Sequence, residues 1–168
     1  MVRHSKITSE LWKSLPWKKF RKNLFRLQVR VYKAIRTGNK RKARQLQKLI
    51  LRSRAARFLA IRQVTQLNSG KKTAGIDGKT ALTFKERFDL ELLLKHCGSN
   101  WYHNRLREIS IPKKNGNRIL KVPTIADRAW QCLAKYALEP ACALQLFTPR
   151  VMDLGRDARL TMPKSYYS

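Results

Sequence analysis

The stretch that decides the fold is residues 17–78, which read WKKFRKNLFRLQVRVYKAIRTGNKRKARQLQKLILRSRAARFLAIRQVTQLNSGKKTAGIDG. Its first part repeats apolar residues at every third or fourth position, the spacing of one helix face, at Trp17, Phe20, Leu24, Leu27 and Val31. Gly38 can take the left-handed backbone conformation that ends a helix, and Asn39 can cap the next one. Because the link is short, we predict an antiparallel pair of helices.

The two helices have predicted bounds and predicted inward faces. The first is expected to start after Ser14, with Pro16 in its first turn, where a missing N–H costs no hydrogen bond. The second is expected to run from residue 40 to residue 67 as one helix. Its predicted buried stripe consists of Ala43, Leu46, Leu49 or Ile50, Ala56, Ala60, Val64 and Leu67.

The sequence carries 38 Lys and Arg against 10 Asp and Glu, a net charge of +28. Residues 1–72 hold 22 of the basic residues and a single acid, Glu10, so most of the excess lies in the first half. Such a chain repels itself unless a polyanion neutralises it, and nucleic acid is the expected partner. A generic solvated basic surface is the weaker alternative, because solubility needs a much smaller net charge.

Two features of the first half point to phosphate. Arg44, Lys48 and Arg52 recur at every fourth position, so they project from one side of the helix and repel one another. We expect this row to face a polyanionic partner rather than bulk water. The Gly/Lys loop, NSGKKTAGIDG at 68–78, could hold phosphate through backbone amides and two lysines, although it lacks the spacing of a P-loop. A plain hinge between subdomains explains its composition equally well.

The second half predicts a helix followed by a hairpin. Thr83 and Glu86 have the spacing of a capping box that opens a helix, and Gly98 is expected to end it. Asn-Gly at 115–116, between two short apolar runs, predicts a β-hairpin over 106–122. Three cations are placed near its tip, namely Lys113, Lys114 and Arg118.

A last helix is predicted after the hairpin. Thr124 and Asp127 are expected to cap it, and Pro140 is expected to end it. Taken together, these elements predict a mainly α chain with a small β-hairpin, that is, an α+β fold in which a basic helical hairpin comes first.

Other residue types bear on the compartment of the chain and on metal and membrane binding. The three cysteines form no Cys-x-x-Cys pair and are odd in number, which indicates a reducing compartment; they are Cys97, Cys132 and Cys142. The spacing of His96, Cys97 and His103 fits no standard zinc site, so no metal ligand is assigned. No run of 18 apolar residues occurs, so no membrane contact is expected. The N-terminus does not have the pattern of a secretory signal peptide.

Two segments, in the same order along the chain, resemble a known family. The first is LQVRVYKA…GN…LQKL…S..A…A.RQVTQLNSGKKTAGIDG within 27–78, and the second is IPKKNGNR…VPTIADRAWQCLAKYALEP within 111–140. Across residues 10–149 the chain is similar to the start of a group II intron-encoded reverse transcriptase, or intron maturase. The resemblance implies an N-terminal domain at 1–78, a partial fingers subdomain at 79–140 and a divergent, disorder-prone tail at 141–168.

The resemblance also implies roles for individual cations. In that family the N-terminal domain grips intron RNA or template, which implies the RNA-binding residues Arg30, Lys33, Lys40, Arg41, Arg44, Lys48, Arg52, Lys71 and Lys72. The fingers hairpin approaches template and nucleotide, which implies a nucleotide- or template-binding role for Lys113 and Arg118. Where the family reads Arg-Pro-Leu-Gly-Ile-Pro-Thr, this chain reads Arg-Ile-Leu-Lys-Val-Pro-Thr at 118–124. The chain therefore lacks the proline and the glycine of the family motif, with Ile119 and Lys121 in their places.

Polymerisation in that family needs palm carboxylates that hold two Mg²⁺ ions. The family's Tyr-Ala-Asp-Asp box has no counterpart in this sequence, and we interpret Asp153 and Asp157 as surface acids. We therefore expect no catalytic residue, no polymerase activity and no cofactor in this chain, with Mg²⁺ only if a palm is supplied in trans.

Three hypotheses for the function remain. The favoured one is an RNA-binding maturase fragment that docks on intron RNA through electrostatic contacts. The second is one component of a split reverse transcriptase, completed by a second polypeptide that carries palm and thumb. The third is a non-functional remnant of an intron reading frame. By family habit the compartment is a plastid or another organelle, or alternatively a bacterial cytoplasm.

Overall fold

The structure is a computed structural model that describes residues 2–98, 100–113 and 116–147, with side chains described at 7–70, 72–98, 100–112 and 116–142. The described part is mostly helical with one antiparallel pair of strands, which confirms the predicted fold class. Its elements are α1 (Val2–Ser14), α2 (Trp17–Arg36), α3 (Lys40–Arg52), α4 (Arg54–Arg62), a π-helical turn (Gln63–Leu67), a 3₁₀ turn (Ser69–Lys72), α5 (Phe84–Cys97), β1 (Arg107–Lys113), β2 (Gly116–Val122) and α6 (Ile125–Phe147).

The predicted helical hairpin is formed by α2 and α3. Gly38 has φ +72, and its N–H donates to the Ile35 carbonyl at 2.9 Å. The next N–H, that of Asn39, reaches back to the Ala34 carbonyl at 2.9 Å. These two hydrogen bonds satisfy carbonyls that have no N–H donor within the helix because they lie at its C-terminal end. The Asn39 side chain then accepts from the Lys42 N–H at 3.0 Å and caps α3, as predicted.

The predicted start of the first helix is shifted by two residues. Ser14 ends the preceding helix, α1, and its hydroxyl donates to the Leu11 carbonyl at 3.0 Å. Pro16 stands in the N-cap position of α2 rather than inside its first turn. Helix α1 was not predicted, although it delivers Trp12, a side chain only 2% exposed, to the core.

The prediction of one continuous helix over 40–67 is wrong at Ser53, where ψ is 122 and the backbone is extended. A break exposes the carbonyl of Arg52, and the Arg57 guanidinium donates to it at 2.7 Å. Arg57 is itself held by a buried ion pair with Glu91 at 2.8 Å. The side chain of Arg57, held in place by Glu91 of α5, therefore satisfies a carbonyl at the end of α3. Leu67, predicted to be buried, is 61% exposed.

The prediction that Pro140 ends the last helix is also wrong, because α6 continues to Phe147. Proline has no N–H, so the carbonyl of Tyr136, four residues earlier, loses its helical donor. The side-chain amide of Gln28 on α2 donates to that carbonyl at 3.1 Å. A contact between helices thus replaces the missing bond. Residues 148–168, which hold most of the predicted tail together with Asp153 and Asp157, lie outside the described residues.

Two apolar clusters hold the helices together, and each draws on both sides of residue 78. The first joins α2, α3 and α4 to Leu133 and Ala137 of α6. The second surrounds Phe58, whose ring centroid lies 5.8 Å from that of Trp12 and 5.8 Å from that of Phe88. The helical hairpin and the segments that follow it therefore share one packed interior.

The capping box and the β-hairpin predicted in the second half are confirmed. The Thr83 hydroxyl accepts from the Glu86 N–H while the Glu86 carboxylate accepts from the Thr83 N–H, the reciprocal bonds of a capping box. Hydrogen bonds from Lys79 and from Thr83 lower the pKa of Glu86 to about 2. The strands pair antiparallel over the predicted range, with Lys113 opposite Gly116, and residues 114–115 between them lie outside the described residues. Within β2 only Val122 is buried.

Substituting Ile50 tests which residue of the Leu49–Ile50 pair supports the helical hairpin. Ile50 is fully buried, whereas Leu49 is 48% exposed. We expect Ile50→Ala to lower the free energy of unfolding by about 2–5 kcal/mol, because it leaves a cavity in the core. Leu49→Ala, the matched control, should change it by less than about 0.5 kcal/mol. Urea unfolding followed by circular dichroism measures both, and equal effects would contradict the packing.

Candidate nucleic-acid interface

Helix α3 carries a row of cations on its outward face, which we call the basic row: Arg41, Arg44, Lys48 and Arg52. At 100° per residue these positions fall within a sector of about 80°. The sector lies opposite the buried side chains of α3, which are Ala43, Leu46 and Ile50. All four cations are exposed, and none forms an ion pair within the described part of the chain. Their mutual repulsion is therefore not relieved by any described carboxylate.

The α2 residues predicted to bind RNA face outward as well. Arg30 and Lys33 are exposed, and they lie on a different side of the helix from Leu24 and Val31, which are buried. Because α2 and α3 run antiparallel from the turn at Gly38, both residues lie at the same end of the hairpin as Lys40, which is also exposed. The structure thus gathers seven of the nine predicted RNA-binding residues on one helical hairpin, namely Arg30, Lys33, Lys40 and the basic row.

The remaining predicted residues lie elsewhere. Lys72 is exposed and lines a shallow depression with Thr65, Gln66, Thr80 and Ala81. The Lys71 side chain lies outside the described part, although its backbone belongs to the 3₁₀ turn. The Gly/Lys loop follows the π-helical turn and is not part of the helical hairpin that carries the basic row.

The two residues predicted to bind nucleotide or template lie on the β-hairpin. Arg118 is exposed on β2, opposite Ile111 of β1. The backbone of Lys113 pairs with Gly116, but its side chain is not among those described, and Lys114 lies outside the described residues. The hairpin projects from the helices as a separate basic element.

The Gly/Lys loop is anchored to α6, which argues against the interpretation as a plain hinge. The Arg128 guanidinium donates to the Gly70 carbonyl at 2.8 Å and to the Thr73 carbonyl at 2.7 Å. Burial lowers the pKa of Arg128. Further along the loop, Gly75 lies so close to Thr124 that an added Cβ would stand 2.7 Å from the Thr124 Cα. The loop is therefore fixed at two points.

Sequence reasoning missed a second basic surface at the start of α2. Here a shallow groove is lined by Pro16, Trp17, Lys18, Lys19, Arg21, Lys22 and Arg62. The guanidinium carbon of Arg62 lies 4.6 Å from the centre of a Trp17 ring, which is a cation–π contact. The run of cations at 18–22 was a visible signal, but the approach of Arg62 depends on how α4 packs.

The described residues contain neither a candidate metal site nor a candidate membrane span. No three His, Cys, Asp or Glu side chains in that part are grouped so that they could hold a metal ion. No helix there has the length and apolar character needed to cross a bilayer.

Comparison with known proteins gives an independent line of evidence. Residues 12–94 match the family described as the N-terminal domain of reverse transcriptase. The chain is 46% identical over 125 residues to Maturase-like protein 1 of Euglena gracilis and 36% identical over 128 residues to the protein of the same name from Euglena longa. These alignments cover 74% and 76% of this chain. They cover only 27% and 28% of the two relatives, so the chain spans about a quarter of their length.

Adding a methyl group tests how tightly the Gly/Lys loop is held. Gly75→Ala should lower the free energy of unfolding by about 1–3 kcal/mol, because the new Cβ meets backbone that cannot move aside easily. Gly70→Ala is the matched control, since its Cβ would come no closer than 3.6 Å to the Asn68 side chain. That variant should be neutral or more stable by up to about 1 kcal/mol. Chemical denaturation of both proteins decides the point, and a neutral Gly75→Ala would mean that the loop is not fixed there.

Proposed function

Because this chain belongs to the reverse transcriptase and maturase family, with that family's N-terminal domain at residues 12–94, we propose that it binds structured RNA, in the first place a group II intron. The observation that carries the proposal is the basic row together with Arg30, Lys33 and Lys40. These seven cations are exposed on one hairpin, and none has an acidic partner within the described part of the chain.

The contact is electrostatic in origin. A polyanion whose phosphates are neutralised by Lys and Arg releases its condensed counterions, and this release supplies most of the sequence-independent affinity. Arginine also offers a planar fork of donors that can grip a phosphate with two bonds. The major groove of A-form RNA excludes side chains, so the hairpin recognises backbone and shape more than base sequence. The Gly/Lys loop and the β-hairpin, with Lys71, Lys72, Lys113 and Arg118, extend the same contact.

We propose further that these 168 residues do not polymerise DNA by themselves. Two-metal catalysis needs carboxylates held together, and the sequence contains no Tyr-Ala-Asp-Asp box. The proposal therefore includes no catalytic residue and no cofactor, with Mg²⁺ entering only if a palm is supplied in trans.

The alternative of a split enzyme predicts an uncovered apolar face on α6 between Ile125 and Tyr136. Ile125, Ala129 and Leu133 are instead buried, which favours the RNA-binding hypothesis.

The compartment is proposed from the source of the relatives. Both named relatives come from Euglena species and are called maturase-like. We therefore place the chain in an organelle, with the plastid preferred.

The salt dependence of RNA binding tests the electrostatic contact. If six to ten phosphates are contacted, the affinity should fall about 10³–10⁵-fold between 50 and 200 mM salt. Replacing Arg44, Lys48 and Arg52 together by Gln should lower the slope of log affinity against log salt by about 2–3, since three contacts are lost. Filter binding with a folded intron transcript gives both quantities.

The matched control removes the same amount of charge from cations that already have partners. Lys79, Lys121 and Lys135 lie 2.8, 3.3 and 3.9 Å from the carboxylates of Glu86, Glu108 and Glu139. Their triple Gln variant should leave the slope within about 1 of the wild-type value. If affinity stays flat as salt rises, or if both triple variants behave alike, the basic row is not the RNA-binding surface.

Primer extension tests the absence of polymerase activity. The purified chain, given a primed RNA template, Mg²⁺ and dNTPs, should extend no primer, because its sequence lacks the Tyr-Ala-Asp-Asp box whose carboxylates hold the metal ions. A full-length maturase with its own palm serves as the positive control in the same buffer. Extension by the 168-residue chain alone would overturn this part of the proposal.

A further inference from the structure

Tyr102 is the most exposed large hydrophobic residue of the described part, at 91%. It lies in the connection between α5 and β1, within the segment 100–104, which we call the tyrosine loop. A bare aromatic ring in water is costly unless a partner covers it, because most of its surface is apolar. The exposure therefore calls for an explanation from the structure around it.

The tyrosine loop is held firmly by one buried carboxylate. Asp127, which is 1% exposed, accepts from the Trp101 indole N–H at 2.8 Å and from the Asn104 backbone N–H at 3.3 Å. The Asn104 side-chain amide and the Thr124 hydroxyl donate to the same carboxylate, at 3.4 and 2.7 Å. Burial acts to raise the pKa of Asp127, but the hydrogen bonds from Thr124, Trp101 and Asn104 outweigh it and hold the pKa below its usual value.

The residues on both sides of Tyr102 have side chains that contact Trp130 of α6. The ring of Trp101 stacks on Trp130 with centroids 6.5 Å apart, and the Trp130 indole N–H donates to the Gly98 carbonyl at 3.0 Å. On the other side, His103 packs edge-on against Trp130 at 5.2 Å. Because residues on both sides are anchored, the backbone of Tyr102 is fixed and its ring is presented to solvent.

The charges around the tyrosine loop indicate what could cover the ring. Arg105 and Arg107 follow it closely and are exposed. The nearest acids offer little opposing charge at the surface, because Asp127 is buried and Glu108 is paired with Lys121 at 3.3 Å. An exposed aromatic ring flanked by cations suits a nucleic acid, whose base stacks on the ring while its phosphates meet the cations.

We propose that Tyr102 is a stacking platform for an unpaired base of the bound RNA. The inference rests on the proposed function and extends it. The basic row contacts only the phosphates of the RNA backbone, whereas Tyr102 stacks on the base of an unpaired nucleotide. Stacking of a base on an aromatic ring corresponds to a loss of about 5- to 150-fold in affinity when the ring is removed. The phenolic hydroxyl is not needed for this contact.

The test uses two RNAs of equal phosphate number, a stem with an unpaired loop and a fully paired duplex. Fluorescence anisotropy at low salt measures the affinity of the whole chain for each. Tyr102→Ala should bind the stem–loop about 5- to 150-fold more weakly and the duplex as the wild type does. Tyr102→Phe should match the wild type on both. The slope of log affinity against log salt should not change, since no phosphate contact is removed.

Leu138→Ala is the matched control, because Leu138 is 54% exposed on α6 and should affect neither RNA. An unchanged affinity of Tyr102→Ala for the stem–loop, or an equal loss on both RNAs, overturns the inference while leaving the proposed function in place. If the wild-type chain binds neither RNA, the proposed function fails and the inference fails with it. Circular dichroism of Tyr102→Ala shows that the fold is retained, as expected for so exposed a residue.

Discussion

The contact on which the structure depends is the apolar stripe where α2 and α3 meet each other and α6. Val31 and Ile50, both fully buried, lie on this stripe. Helices α2 and α3 contain no acid, so their cations would drive them apart if the stripe did not hold them together. Once the stripe faces inward, the helical period leaves the cations on the outside. The same packing that makes the hairpin stable therefore creates the basic surface.

The start of α6 connects the parts of the molecule that carry functional proposals. Asp127 gathers the tyrosine loop, and the next residue, Arg128, holds the Gly/Lys loop. Both residues belong to the first turn of a helix whose later turns, at Leu133 and Ala137, pack against the helical hairpin. One helix thus fixes the positions of the loops relative to the basic row. An RNA bound to the hairpin would meet those loops in a fixed arrangement.

The sequence determined the features whose physical causes lie within a few residues. The turn at Gly38, the capping box of Thr83 and Glu86 and the β-hairpin were all predictable, because a side chain or a backbone angle next to the feature creates it. The cations of the candidate site were predictable for the same reason. Their spacing and the lack of neighbouring acids are properties of the sequence itself.

Only the tertiary structure decided the features whose causes lie far apart in the chain. The break at Ser53 depends on the pairing of Arg57 with Glu91, 34 residues away. The continuation of α6 through Pro140 depends on Gln28, which meets the Tyr136 carbonyl across 108 residues. The exposure of Tyr102 depends on a carboxylate that a later helix supplies. A backbone N–H or C=O group without a hydrogen-bond partner among its near neighbours must find one elsewhere in the fold. The sequence pattern around that group does not show which distant residue will be the partner.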